Sequence, residues 1–264
     1  MIGISHLPVG AAHPTAPATH RRVATNPAVF VPLWTSFLNW IVLAMLAQSG
    51  VQMVLCFSPA QSLVDGFTAG LAAQIYQISP GLLALEWGLM VLAMMLPLTV
   101  PHLSVFCARL FRKQQIPALF AALCGFVLIW LAIGLVLIPI MLGLRALAAI
   151  EGYETLVILM AYGAAIGWSW SPWRQAAFKR CHWVPVIYGK GWPAMLASGL
   201  YGLRLGLLCL ATCVFAMIAP MLAGQGVLAM ALVTHVLLME RLSHRPRPIH
   251  TALPLAMIGV LAFL

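Results

Sequence analysis

At 264 residues the chain is long enough for one or two soluble domains, but 63% of it is hydrophobic and only 7% charged, against about 25% charged in a typical soluble domain. Water is therefore excluded as its main solvent. The formal charge of +9 does not call for nucleic acid, because the basic residues gather at the ends of long apolar runs, where topology and anionic lipid headgroups account for them.

Residues 1–32 carry three His, five Pro and the Arg21-Arg22 pair with no helical periodicity, and read as a flexible tail. The first apolar segment, 33–57, exceeds a signal-peptide core of about 7–15 residues and lacks a small-residue cleavage site, so it reads as a retained helix. Asn39, Gln48 and Gln52 within it predict contact with neighbouring helices. Further apolar runs follow at 82–106, 117–141, 155–170, 193–218, 221–239 and 249–264. A spanning helix needs about 20 apolar residues, so the expected fold is all-α and polytopic: one domain over 33–264 with about seven transmembrane helices. Pro220 and Gly224-Gln225-Gly226 divide the fifth helix from the sixth as a tight turn. The last run is short and interrupted by Pro254, and reads as tilted or shallow.

The connections alternate in charge. Arg21 and Arg22; Arg109, Arg112 and Lys113; Arg174, Lys179, Arg180 and Lys190; and Arg241, Arg245 and Arg247 make twelve of the fourteen basic residues. The opposite connections hold Arg145 with Asp65, Glu151 and Glu154. This places the N-terminus on the cytoplasmic side of a multi-pass protein, with a bacterial inner membrane as the expected location. The six cysteines do not form a disulfide framework: Cys107 and Cys181 face the reducing side, Cys124, Cys209 and Cys213 lie within helices, and Cys56 is near the outer surface.

Polar and sulfur-bearing groups inside a bilayer are the candidate functional residues, since their desolvation needs compensation. In the second helix Glu86, Met90 and Met94 are four apart and share a face, followed by Met95, Pro97 and His102. The fifth helix repeats the spacing with Cys209, Cys213, Met217 and Met221. Soft thiolate and thioether ligands select Cu(I), and thiolates also zinc. At about 1.5 Å of rise per residue, Met90 falls level with Cys209 and Glu86 with Cys213. The expected metal ligands, for copper or zinc, are thus Cys209, Cys213, Met217, Met90, Met94 and Met95. The plainer reading is packing, because Met fills gaps and Cys behaves as a small hydrophobe, and Glu86 is equally placed to reach the outer headgroups.

A possible second site gathers His102, Cys107, Cys181 and His182 at the cytoplasmic surface, with His235 in the sixth helix. Segment 172–192 interleaves Trp173, Trp183 and Trp192 with four basic residues, the makeup of an interface-lying segment. Arg204 either snorkels toward the cytoplasm or pairs with Glu240 or with an acidic group on another subunit.

Trp87-x-x-Met90-x-x-Ala93-Met94-Met95-x-Pro97, a basic loop with Pro172 and Cys181, Gly202-x-x-x-Gly206-x-x-Cys209 followed by Cys213 and Met217, and Glu240-Arg241 together resemble the domain of unknown function 2182 family. The resemblance covers roughly residues 80–245 and implies a predicted metal-binding integral membrane protein. The chain departs from the family's pattern at several positions. Trp170-Ser171 precedes Pro172 in place of Tyr-Gln, Arg174 replaces a Lys, and Ala177 stands where the first Cys of a loop pair is expected. Ala211, Thr212 and Val214 replace Gly, Cys and Trp, and Ala229 another Trp. The chain is thus similar to a divergent member that keeps one Cys from each pair plus Cys209.

Two functions follow. The first is metal handling, copper above all. The second is a non-catalytic accessory or structural role in a larger membrane complex, with other membrane subunits as partners and Gly199, Gly202 and Gly206 serving helix contacts at small-xxx-small spacing. No enzyme is expected and no catalytic residue is assigned, for the sequence has no P-loop, no G-x-S-x-G, no H-E-x-x-H and no paired intramembrane carboxylates. The bilayer is the partner the composition demands, and nucleic acid is not one.

Overall fold

Backbone in an apolar solvent must satisfy its own hydrogen bonds, and helices do so within one segment. The computed structural model describes residues 27–48, 80–181, 191–243 and 247–261, and they form eight helices and no strand. These are α1 (Pro27–Gln48), α2 (Pro80–Ala108), α3 (Arg112–Glu151), α4 (Glu154–Trp170), α5 (Pro172–Cys181), α6 (Trp192–Leu222), α7 (Gly226–Leu242) and α8 (Ile249–Val260). Four of them, α1, α2, α3 and α6, are long and apolar enough to cross a membrane. α4 and α7 have 17 residues each, at the lower end of crossing lengths, and α8 has 12, below it. Leu128, Leu135 and Leu147 on α3 and Leu196, Leu200 and Leu207 on α6 are exposed, the outward face that lipid requires and water would penalise. The described residues are thus all-helical, with the long apolar helices and the apolar outer face that suit a membrane protein.

Several boundaries differ from those expected. α3 does not stop at residue 141; it runs on through Arg145, which is buried rather than in an outer connection. It ends at Gly152, whose φ of 68° is the left-handed closure that glycine allows. α6 continues through Pro220, because a proline in the last turn forfeits a single backbone bond. The reversal falls at 223–225, with positive φ at Gly224 and Gly226, and Met221 belongs to the end of α6 rather than to the next helix. The segment expected to lie at the interface begins with α5, a helix that starts on a favourable N-terminal proline and buries Arg174, Ala177, Phe178 and Cys181.

α3 and α6 form the closest pair, and they run parallel. A Cβ placed on Gly202 would strike the backbone of Ala122, one on Gly125 would strike the carbonyl of Gly199, and one on Gly206 would lie 3.2 Å from the Phe126 carbonyl. Glycines are needed here for approach, not for turning. α1 lies along α2, where Ser36 Oγ donates to the Ala93 carbonyl at 2.6 Å. Trp87 of α2 donates its indole N–H to the Trp130 carbonyl of α3 at 2.8 Å and fills the space left by Gly134. α7 packs against α2, α6 and α8, and α4 against α6 and α8. At the α6–α7 turn, Tyr162 of α4 donates to Gln225 Oε1, and Gln225 Nε2 donates to the Ile258 carbonyl of α8 at 2.8 Å.

The core divides in two. One cluster collects Trp87, Met90, Met94, Met95, Trp130, Cys209, Cys213 and Met217. The other lies toward the end of α2, with Leu103, Phe106, Cys107, Leu119 and Tyr201; its Phe106 and Tyr201 rings stack at 4.7 Å.

Candidate metal centre

The polar residues of the bundle meet where α2, α5, α6 and α7 come together. Pro172 opens α5 and turns Arg174 inward. Its Nε donates to the Thr212 carbonyl at 2.9 Å, while Nη1 and Nη2 donate to the two Glu240 oxygens at 2.8 and 2.5 Å. This is the bidentate fork that suits guanidinium to carboxylate, and both partners are buried.

Arg241 follows Glu240 and points to the other side of Thr212. Its Nη2 donates to Thr212 Oγ1 at 2.8 Å and to Cys213 Sγ at 3.6 Å. Its Nη1 lies 3.0 Å from His102 Nε2; a guanidinium can only donate, so His102 accepts there as the neutral ring. The Phe178 ring lies beneath the guanidinium at 5.9 Å. Arg241, His102 and Thr212 are all nearly inaccessible.

Cys209 and Cys213 lie one helical turn apart with their sulfurs 4.0 Å from each other, and Thr212 Oγ1 is 3.3 Å from Cys213 Sγ. Thiolate–metal bonds are about 2.3 Å for a zinc-sized ion. One soft ion can therefore touch both sulfurs without either side chain moving far.

The six residues expected as ligands, Cys209, Cys213, Met217, Met90, Met94 and Met95, are all buried in one cluster. Their heights differ from those expected. Phe106 of α2 stacks on Tyr201 of α6, and the two helices run in opposite directions. Equal steps from that contact bring Leu98 level with Cys209, Met94 with Cys213 and Met90 with Met217. Glu86 and Met90 are thus not the height partners of the cysteines, an offset of eight residues or about 12 Å. The cause is that the middle of an apolar run need not be the middle of the packed helix when α6 has 31 residues, more than a crossing requires. Glu86 is also buried in the bundle rather than reaching out to headgroups.

The second expected site is partly dissolved into the first. His102 joins the thiol pair through Arg241. Cys107 is buried in the other cluster. Cys181 ends α5, where burial pushes its thiol up from the ordinary value and the Arg241 charge nearby opposes the rise. His182 lies outside the described residues, as does Cys56. His235 faces outward. Arg204 is exposed on α6, and Glu240, one of its suggested partners, is taken by Arg174.

Sequence reasoning missed the ring of Arg174, Glu240, Arg241 and Thr212 as a unit. The available signal was an acidic residue beside a basic one at the end of an apolar run, with a lone threonine between two cysteines. Among the described residues no group of three or more His, Cys, Asp or Glu can hold a metal. Zinc, which asks for four such ligands, is therefore not supported. A buried thiol pair in a methionine-rich core suits Cu(I).

A family model described as PpoB2, copper chaperone, matches residues 84–264, which take in every helix from α3 onward and nearly all of α2. Neither the curated proteins nor the solved structures give a match. The family shown is thus a copper-related one, reached under a different name from that suggested by the motifs. With well over half of its length matched, the chain belongs to the PpoB2 copper chaperone family.

Proposed function

We propose that the protein holds Cu(I) inside the membrane on the thiol pair Cys209 and Cys213, with Met217 one turn beyond Cys213 on the same helix face and Met94, Met95 and Met90 in the same buried core. One observation carries the reading: two buried thiols 4.0 Å apart within a methionine-rich core, in a chain of a copper chaperone family. The ion is cargo, received and passed on, and the chain performs no reaction on it. The basic connections support about seven crossings with the N-terminus in the cytoplasm, in a bacterial inner membrane.

Protein purified gently and loaded with Cu(I) under reducing conditions is expected to retain about one copper per chain. The Cys209→Ser, Cys213→Ser variant is expected to retain almost none by elemental analysis, with unchanged helical content. Copper-free wild type, or a double variant as copper-rich as wild type, would sink the reading.

An accessory role in a larger complex is the other reading. Part of its support is removed because Gly202 and Gly206 spend their small size on contact with α3 within the chain.

A further inference from the structure

We propose that Arg241 sets the charge of the ion the thiol pair accepts, making the centre one for monovalent soft ions, Cu(I) or Ag(I), rather than divalent ones. The inference rests on the reading of Cys209 and Cys213 as the ligands.

The argument is one of charge balance in an apolar interior, where an uncompensated charge is costly. Arg174 and Glu240 neutralise each other through the bidentate pair. At this junction of α2, α5, α6 and α7 the charge of Arg241 remains. Its contacts are His102, Thr212, the face of Phe178 and the Cys213 sulfur, and none of these is a carboxylate. Two thiolates around a monovalent ion carry one negative charge and cancel it. Two thiolates around a divalent ion carry none, and the guanidinium then repels the incoming metal with nothing gained in return.

The same sum argues against a third thiolate. Adding Cys181 would leave a net negative charge, and no group of three His, Cys, Asp or Glu able to bind a metal occurs among the described residues. A neutral third donor keeps the balance, and Met217, four residues after Cys213, is on the same helix face. Arg241 is thus a specificity-determining residue that acts without being a ligand. Its neighbours fix it in place: Thr212 and His102 hold the two ends of the guanidinium at 2.8 and 3.0 Å.

The test compares Ag(I), a redox-inert stand-in for Cu(I), with Cd(II) on the full-length protein in detergent, following thiolate-to-metal absorption in competition titrations. Arg241→Met and Arg241→Gln are expected to lower the ratio of Ag(I) to Cd(II) affinity by about tenfold to a hundredfold, the scale of one lost charge at short range. Arg241→Lys should restore most of the wild-type ratio. Neutral variants with an unchanged ratio would overturn the role of Arg241. Should neither neutral variant fold, the wild type decides, because equal affinities for Ag(I) and Cd(II) would overturn it alone. Wild type that binds neither metal would instead bring down the thiol-pair reading on which this one rests.

Discussion

Glu240→Ala is expected to destabilise the protein by about 3–5 kcal/mol, the usual consequence of stripping one partner from a buried ion pair. Arg174 would keep its bond to the Thr212 carbonyl at 2.9 Å but lose both oxygens that neutralise it. Its charge would then stand alone beside that of Arg241. The loss arises from the orphaned guanidinium more than from the missing bonds, and this has a measurable consequence. The double variant Arg174→Met, Glu240→Leu removes the pair together and is expected to fall within about 1–2 kcal/mol of wild type. Unfolding followed by far-UV dichroism during a titration with a denaturing detergent distinguishes the two. A Glu240→Ala protein as stable as wild type would mean that the pair is wetted or replaceable, and the buried polar ring would lose its structural role.

Gly202→Val is expected to cost about 3 kcal/mol or more, at or beyond the upper end of overpacking effects. The obstacle is backbone, since the first added carbon meets the Ala122 carbonyl, carbon and Cα. A side chain could rotate away; a helix must move. α3 would be displaced from α6, and Cys209 sits two turns further along α6. Gly163→Ala is the matched control, because a Cβ there meets nothing within 4 Å. It should be neutral or stabilising by up to about 1 kcal/mol through helix propensity. Melting of both proteins in the same detergent checks the pair: equal melting temperatures would show that the α3–α6 contact opens at little cost.

What could be read from the sequence was what depends on neighbouring residues. Runs at 82–106, 155–170 and 193–218 match α2, α4 and α6 to within four residues at each end, since absence of charge and the preference for internal hydrogen bonding act along the chain. α5 was illegible for the converse reason. Arg174, Lys179 and Arg180 look like a solvated connection, and only Glu240, 66 residues further on, makes burial of Arg174 tolerable. The thiol pair was visible from its four-residue spacing. The heights of its neighbours were not, because helix registry is settled by contacts such as Phe106 on Tyr201 rather than by hydropathy. Thr212 passed as a substitution for a ligand, while in the fold it is the hub that receives both arginines, one on its carbonyl and one on its hydroxyl.

The bonds made by Gln225 fix α4, α8 and the start of α7 at one corner. α7 leaves that corner as a lever, and Arg241 sits 16 residues along it, about 24 Å away. A swing of about 5° at the pinned end would carry the guanidinium about 2 Å, enough to part it from Thr212 and His102. The position of the guanidinium beside the sulfurs thus depends on how firmly α7 is held at its far end, by Gln225 and by its packing against α2, α6 and α8.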